Sequence, residues 1–219
     1  MYHKFRGPIR VEDVPVPVAP EGGVVVEVRA TGVCRSDWHG WSGHDSDIED
    51  HGLPFIPGHE VSGVIASVGT GVTTFAVGDR VAIPFILSCG SCRECQRSKP
   101  TVCEDQNQPV RSTSHNTLSM LSVSLASSVL RSCLRWTAQG FTMNGSFAEF
   151  VALPRAERNL CHLPEEVSFT MAAALGCRAT TAFRAVVQQG RVAQGDVLAV
   201  FGCGGVGLSG ACRQRRVVT

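Results

Sequence analysis

Four cysteines, Cys89, Cys92, Cys95 and Cys103, stand in the pattern C-x2-C-x2-C-x7-C. Any fold for this chain must bring these four thiols to one point. Three spaced cysteines on one tight loop, with a fourth that returns to it, supply the tetrahedral sulfur set of a closed structural zinc site. Thioredoxin-like redox chemistry needs a single C-x-x-C. A disulfide pair suits a secreted chain, and the N-terminus MYHKFRGPIRVEDVPVPV has charged residues where a signal peptide has an apolar run. The reading is a loop stapled by zinc, which stabilises and does no chemistry.

The remaining composition narrows the setting. At 219 residues and 43% hydrophobic content, the chain can bury one sizeable core and begin a second domain. Twenty basic against 19 acidic residues, with no run of like charge, leave no electrostatic footprint for nucleic acid. No apolar run approaches a membrane span. The expectation is a cytoplasmic protein with neither nucleic acid nor membrane as partner.

Val24 to Val33, Val61 to Val68, Asp79 to Pro84 and Ser146 to Leu153 read as strands, short and rich in Val, Ile and Ala, broken by Gly and Pro. After Pro164 the pattern changes. Glu165 to Ala174 and Thr180 to Gln189 read as helices, the second closed by Gly190, and GDVLAVFG reads as the all-apolar strand of a buried parallel sheet. That strand runs into G-x-G-x-x-G at Gly202, Gly204 and Gly207, the turn that opens a dinucleotide-binding βαβ unit. The fold class is α+β, a β-rich unit followed by the start of an α/β unit. Val110 to Gln139 fits neither part: it has eight serines, no acidic residue and no steady period, and is expected to be disordered.

Together GVCRSDWHGW, PGHEVSG, the four-cysteine loop, NGSFAEFV, AALGCRATTAF and the glycine turn resemble the zinc-dependent alcohol dehydrogenases of the medium-chain dehydrogenase/reductase family. The resemblance covers nearly all of residues 1–208 except the serine-rich stretch. It implies a GroES-like β-barrel catalytic domain over 1–160, with 110–139 as an atypical insert, and an incomplete Rossmann domain over 161–219. It implies two zinc ions. One is the structural zinc on Cys89, Cys92, Cys95 and Cys103; the other is a catalytic zinc on Cys34, His59 and Cys177, with Glu60 near the metal as an occasional ligand or electrostatic tuner. Asp37 would orient the imidazole of His59, and Ser36 and His39 would carry the alcohol proton toward solvent. Arg35 would approach the pyrophosphate of NAD or NADP, Thr181 would pack on the nicotinamide, and Gly202, Gly204 and Gly207 would form the cofactor turn. The implied reaction is oxidation of an alcohol to an aldehyde or ketone, in a family of homo-oligomers. His44 and His51 read as surface residues, and Cys161, Cys203 and Cys212 as buried or incidental thiols.

Two departures from the family accompany these expectations. Joining NQP directly to GFTMNGSFAEF restores the family pattern, so Val110 to Gln139 reads as a translated intron, with a genuine docking insertion as the alternative. SGACRQRRVVT replaces the apolar-striped helix that should follow the glycine turn, so the end reads as a frameshift or unspliced junction. An apparently truncated dehydrogenase is expected, the alternative being a catalytically inert zinc-binding fragment.

Overall fold

The computed structural model describes residues 1–104 and 141–212. The expectations for the 110–139 insert and for the arginines at 213, 215 and 216 lie outside the described residues.

The first unit is built on a five-stranded antiparallel sheet. Its strands are β1 (Val24–Gly32), β2 (Glu60–Val68), β3 (Arg80–Ile83), β4 (Phe150–Leu153) and β5 (Cys161–His162), in the order β4-β1-β2-β3-β5. Valine and isoleucine dominate because branched side chains pack well on a pleated surface. Val24, Val26, Val61, Ile65, Val81, Ile83, Val151 and Leu153 form one contiguous core with Phe75 and Leu87. A second, smaller core gathers Tyr2, Ile48, Phe55 and Phe141 beside two short helices, α1 (Arg35–Trp41) and α2 (Ser46–His51).

The pairing of β1 with β2 sets Gly32 opposite Glu60, so the end of β1 and the start of β2 lie side by side. Cys34 follows β1 by two residues, and His59 precedes β2 by one. The sheet register therefore brings the two motifs together although a helical excursion separates them in sequence.

Helix α3 (Arg93–Gln96) lies within the cysteine loop, and α4 (Ala156–Asn159) follows β4. Beyond β5 the chain forms α5 (Phe169–Ala174), a π turn (Leu175–Ala179), α6 (Thr180–Phe183) and a second π turn (Arg184–Gln189). Ser168 caps α5, its hydroxyl accepting from the Met171 N–H at 3.2 Å. The acidic pair Glu165 and Glu166 thus precedes the helix rather than forming its first turn.

Residues 195–202 depart from the sequence expectation. They form no ladder with any strand among the described residues, and Val197 and Phe201 are 86% and 97% exposed. A parallel strand takes its hydrogen bonds and burial from neighbours on both sides. Without them the segment stays outside regular structure and leads directly into α7 (Gly205–Ala211).

Candidate functional site

The cysteine loop closes on itself. The sulfurs of Cys89, Cys92, Cys95 and Cys103 all lie within 4.8 Å of one another. The pairs Cys89–Cys95 and Cys92–Cys103 are 3.9 and 3.8 Å apart, far beyond the roughly 2 Å of a disulfide. Backbone N–H groups of Ser91 and Cys92 donate to Cys89 Sγ at 3.3 and 3.2 Å, and those of Cys95 and Glu104 donate to Cys92 Sγ at 3.4 Å. Such donors favour thiolate, the form that binds metal. Burial raises the Cys89 pKa, but the donors from Ser91 and Cys92 prevail and hold it at about 6.

The second cluster is assembled from three segments. Cys34 sits at the N-cap of α1, His59 just before β2, and Cys177 inside the first π turn. Their ligand atoms, with a carboxylate oxygen of Glu60, lie within 4.8 Å of one another. Buried Asp37 organises the group: Oδ2 accepts from the Cys34 N–H at 2.8 Å, and Oδ1 accepts from the Gly58 N–H at 3.1 Å and faces His59 Nδ1 at 3.2 Å. One carboxylate thereby fixes the imidazole and the backbone beside the cysteine.

Nδ1 of His59 is thus committed to Asp37, whereas Nε2 is buried without a hydrogen-bond partner. A buried polar atom is costly to leave unpaired, and a metal ion held with Cys34 and Cys177 would satisfy it. The donor set fits a zinc ion with three protein ligands and an open position. The thiol pair is already polarised. The neighbouring Cys177 thiol first, then the His59 imidazole, bring Cys34 down to about 3, while Cys34 in turn drives Cys177 far above the ordinary thiol range. Burial opposes charge on His59, but its bond to Asp37 and the nearby Cys34 sulfur outweigh this and raise it to about 9.

Cys34, Arg35, Ser36, Cys177 and Arg178 share a cavity of about 690 Å3 with Gly202, Gly204 and Gly207. The three glycines do different work. Gly202 adopts φ +108°, open to glycine and strained for other residues; Gly207 touches the Gly202 carbonyl so closely that no side chain fits; the space beside Gly204 is free. A tight turn, a close helix approach and an open backbone are the features a bound pyrophosphate requires.

Not every expected residue joins this cavity. Ser36 does, with Oγ 3.7 Å from Cys34 Sγ. His39 lies on the exposed side of α1, its ring against Trp38 at 5.0 Å. Thr181 lines a separate cavity of about 610 Å3 with Phe85, Arg158 and Arg184. Cys177 and Arg178, in the first π turn, line the glycine cavity, whereas Thr181 beyond it lines the other. Cys161, Cys203 and Cys212 are exposed, incidental rather than buried thiols.

The sequence reading missed Arg178. Its guanidinium grips the fully buried Glu60 through both carboxylate oxygens, Nε to Oε1 at 3.1 Å and Nη2 to Oε2. The available signal was an arginine directly after a cysteine otherwise surrounded by small apolar residues.

The alcohol dehydrogenase GroES-like domain family matches residues 20–165. The chain belongs to the medium-chain alcohol dehydrogenases. This family member is 33% identical over 205 residues to an alcohol dehydrogenase of Geobacillus stearothermophilus, a match covering 93% of the chain and 50% of the relative. Among solved structures it resembles the alcohol dehydrogenase of Thermus sp. ATN1, at TM-score 0.73 and 26% identity over 95% of this chain and 52% of that one. It also resembles a cobalt- and zinc-bound thermostable alcohol dehydrogenase from Pyrobaculum aerophilum, at TM-score 0.68 and 25% identity, covering 90% and 49%. The chain spans about half the length of the curated relatives it matches.

Proposed function

We propose that this chain carries the metal-holding and alcohol-binding part of a zinc-dependent, NAD- or NADP-linked alcohol dehydrogenase, acting on a small-molecule alcohol in the cytoplasm. The observation that carries the reading is the buried, unpartnered His59 Nε2 beside Cys34 and Cys177, two residues that line the same cavity as the glycine turn. Cys34, His59 and Cys177 would hold the catalytic zinc, and Cys89, Cys92, Cys95 and Cys103 the structural one. When bound, zinc supplies Lewis acidity to an alcohol oxygen, and the nicotinamide accepts hydride.

The chain's own groups serve this chemistry as follows. Asp37 holds the His59 ring in one orientation by accepting its Nδ1 proton. Ser36 Oγ, next to Cys34 at the cavity wall, takes the hydroxyl proton of an alcohol as it gives up its own toward solvent, with His39 on the exposed face of α1 as the receiving base. Arg35, with its guanidinium carbon 5.1 Å from the centre of the Trp38 ring, stands at the rim as a cation for the cofactor phosphates.

A second reading rests on residues 195–202, which are mostly exposed and form no strand ladder among the described residues, where a cofactor domain needs a buried strand. On that reading the chain is a zinc-binding module that turns nothing over. Metal analysis of the purified chain with parallel titration by NAD and NADP separates the two. Two zinc ions with cofactor binding and oxidation of an alcohol supports the dehydrogenase; two zinc ions without cofactor binding supports the inert module; a single zinc ion overturns the catalytic centre in both.

A further inference from the structure

Glu60 is wholly buried at the start of β2, and its carboxylate lies against Gly32 on β1. A carboxylate in that position needs a cation. Arg178 supplies it through a two-point contact, the strongest geometry a guanidinium offers. The arginine is itself restrained. Its stem lies against the glycine turn, where a Cβ added to Gly205 would stand 2.9 Å from Arg178 Cδ. Yet an oxygen of the same carboxylate lies within 4.8 Å of the Cys34, His59 and Cys177 donor atoms, close enough to compete for an ion held there.

We propose that Arg178 is a positioning residue that keeps Glu60 out of the coordination sphere of the metal at Cys34, His59 and Cys177, preserving an open position for substrate. The proposal rests on the metal-centre reading above. With Arg178 in place both oxygens of Glu60 are engaged. Without it the buried carboxylate has lost its cation and turns to the metal, the nearest positive charge, filling the position an alcohol oxygen needs.

The test uses the full chain loaded with cobalt(II), whose visible spectrum reports ligand number and geometry. Subtracting the spectrum of His59→Ala isolates this centre from the four-cysteine loop. The unaltered chain should give the intense bands of a four-coordinate ion. Arg178→Ala should weaken those bands by about a factor of two or more as a fifth ligand joins. Arg178→Ala combined with Glu60→Gln should restore them. A difference spectrum for Arg178→Ala that matches the unaltered chain overturns the proposal. Glu60→Gln alone provides a check independent of how Arg178→Ala folds: an unchanged spectrum supports the proposal, and a changed one shows that Glu60 already ligates and overturns it. If the unaltered chain gives no difference spectrum, the metal-centre reading fails, and the proposal with it.

Discussion

The four-cysteine loop and the Cys34–His59–Cys177 cluster hold similar donors by opposite means. The loop closes over a separation of fourteen residues, and its sulfurs are held by backbone N–H groups of the loop itself. The other cluster draws on an N-cap, the residue before a strand and a π turn, and depends on sheet register and on Asp37 to bring them together. A local site is specified by spacing and depends on its metal. A dispersed site is specified by the core and depends on packing far from the donors.

The largest expected effect falls on the local site. Cys95→Ser should remove the structural zinc and up to about 10 kcal/mol of metal-linked stability, because a loop this short has little other reason to fold. Metal analysis should find the other zinc retained where the sheet survives. Loss of both ions together would show that the two centres are one cooperative unit.

A core truncation should do the reverse. Ile65→Ala opens a cavity in β2, the strand that starts next to His59, and should cost about 2–5 kcal/mol in denaturant unfolding. Zinc affinity should fall at the dispersed centre and hold at the loop. Equal weakening of both would break the contrast.

Asp37→Asn tests the link between the two levels. Asparagine keeps the shape but loses the charge that orients His59, so zinc affinity at that centre should drop by about 10- to 100-fold in competition with a chelator. An unchanged affinity would mean that packing alone holds the ring.

The smallest effect is a matter of pH. Glu157, at the start of α4, accepts from the Thr73 N–H and hydroxyl, both at 2.6 Å, and from the Thr74 N–H at 3.0 Å. The Thr73 hydroxyl first, then the two N–H groups, hold its pKa below the ordinary 4.5. A lowered folded-state pKa stabilises above the unfolded value, and the contribution is lost as pH falls through the folded one. Glu157→Gln should therefore flatten the acid limb of the stability curve below about pH 4.5, measured by thermal unfolding, and leave neither metal site changed at neutral pH.

Legibility in the sequence followed the same division. The valine-rich strands announced themselves by composition, and β1 to β3 lie where those runs predict. The cysteine loop was legible from spacing, because its geometry is short-range. Cys34, His59 and Cys177 carry no spacing of their own and stood out through resemblance to a family. Arg178 escaped notice because its partner Glu60 is remote in sequence, and Thr181, expected against the nicotinamide, lines a different cavity from the glycine turn. The GDVLAVFG run read as a strand from apolarity, but a strand exists only with a neighbour to bond.

The sequence by itself determined the donor chemistry: which residues are thiols, imidazole and carboxylate, and that four of the thiols must close a loop. It also determined the three glycines of the G-x-G-x-x-G turn. Only the tertiary structure decided which donors meet, that Nε2 of His59 is left unpaired, and that Arg178 engages the carboxylate nearest the metal site. The physical reason is that residue identity sets what a group can bind, whereas strand register, helix winding and burial set what it reaches and which contacts it cannot leave unmade.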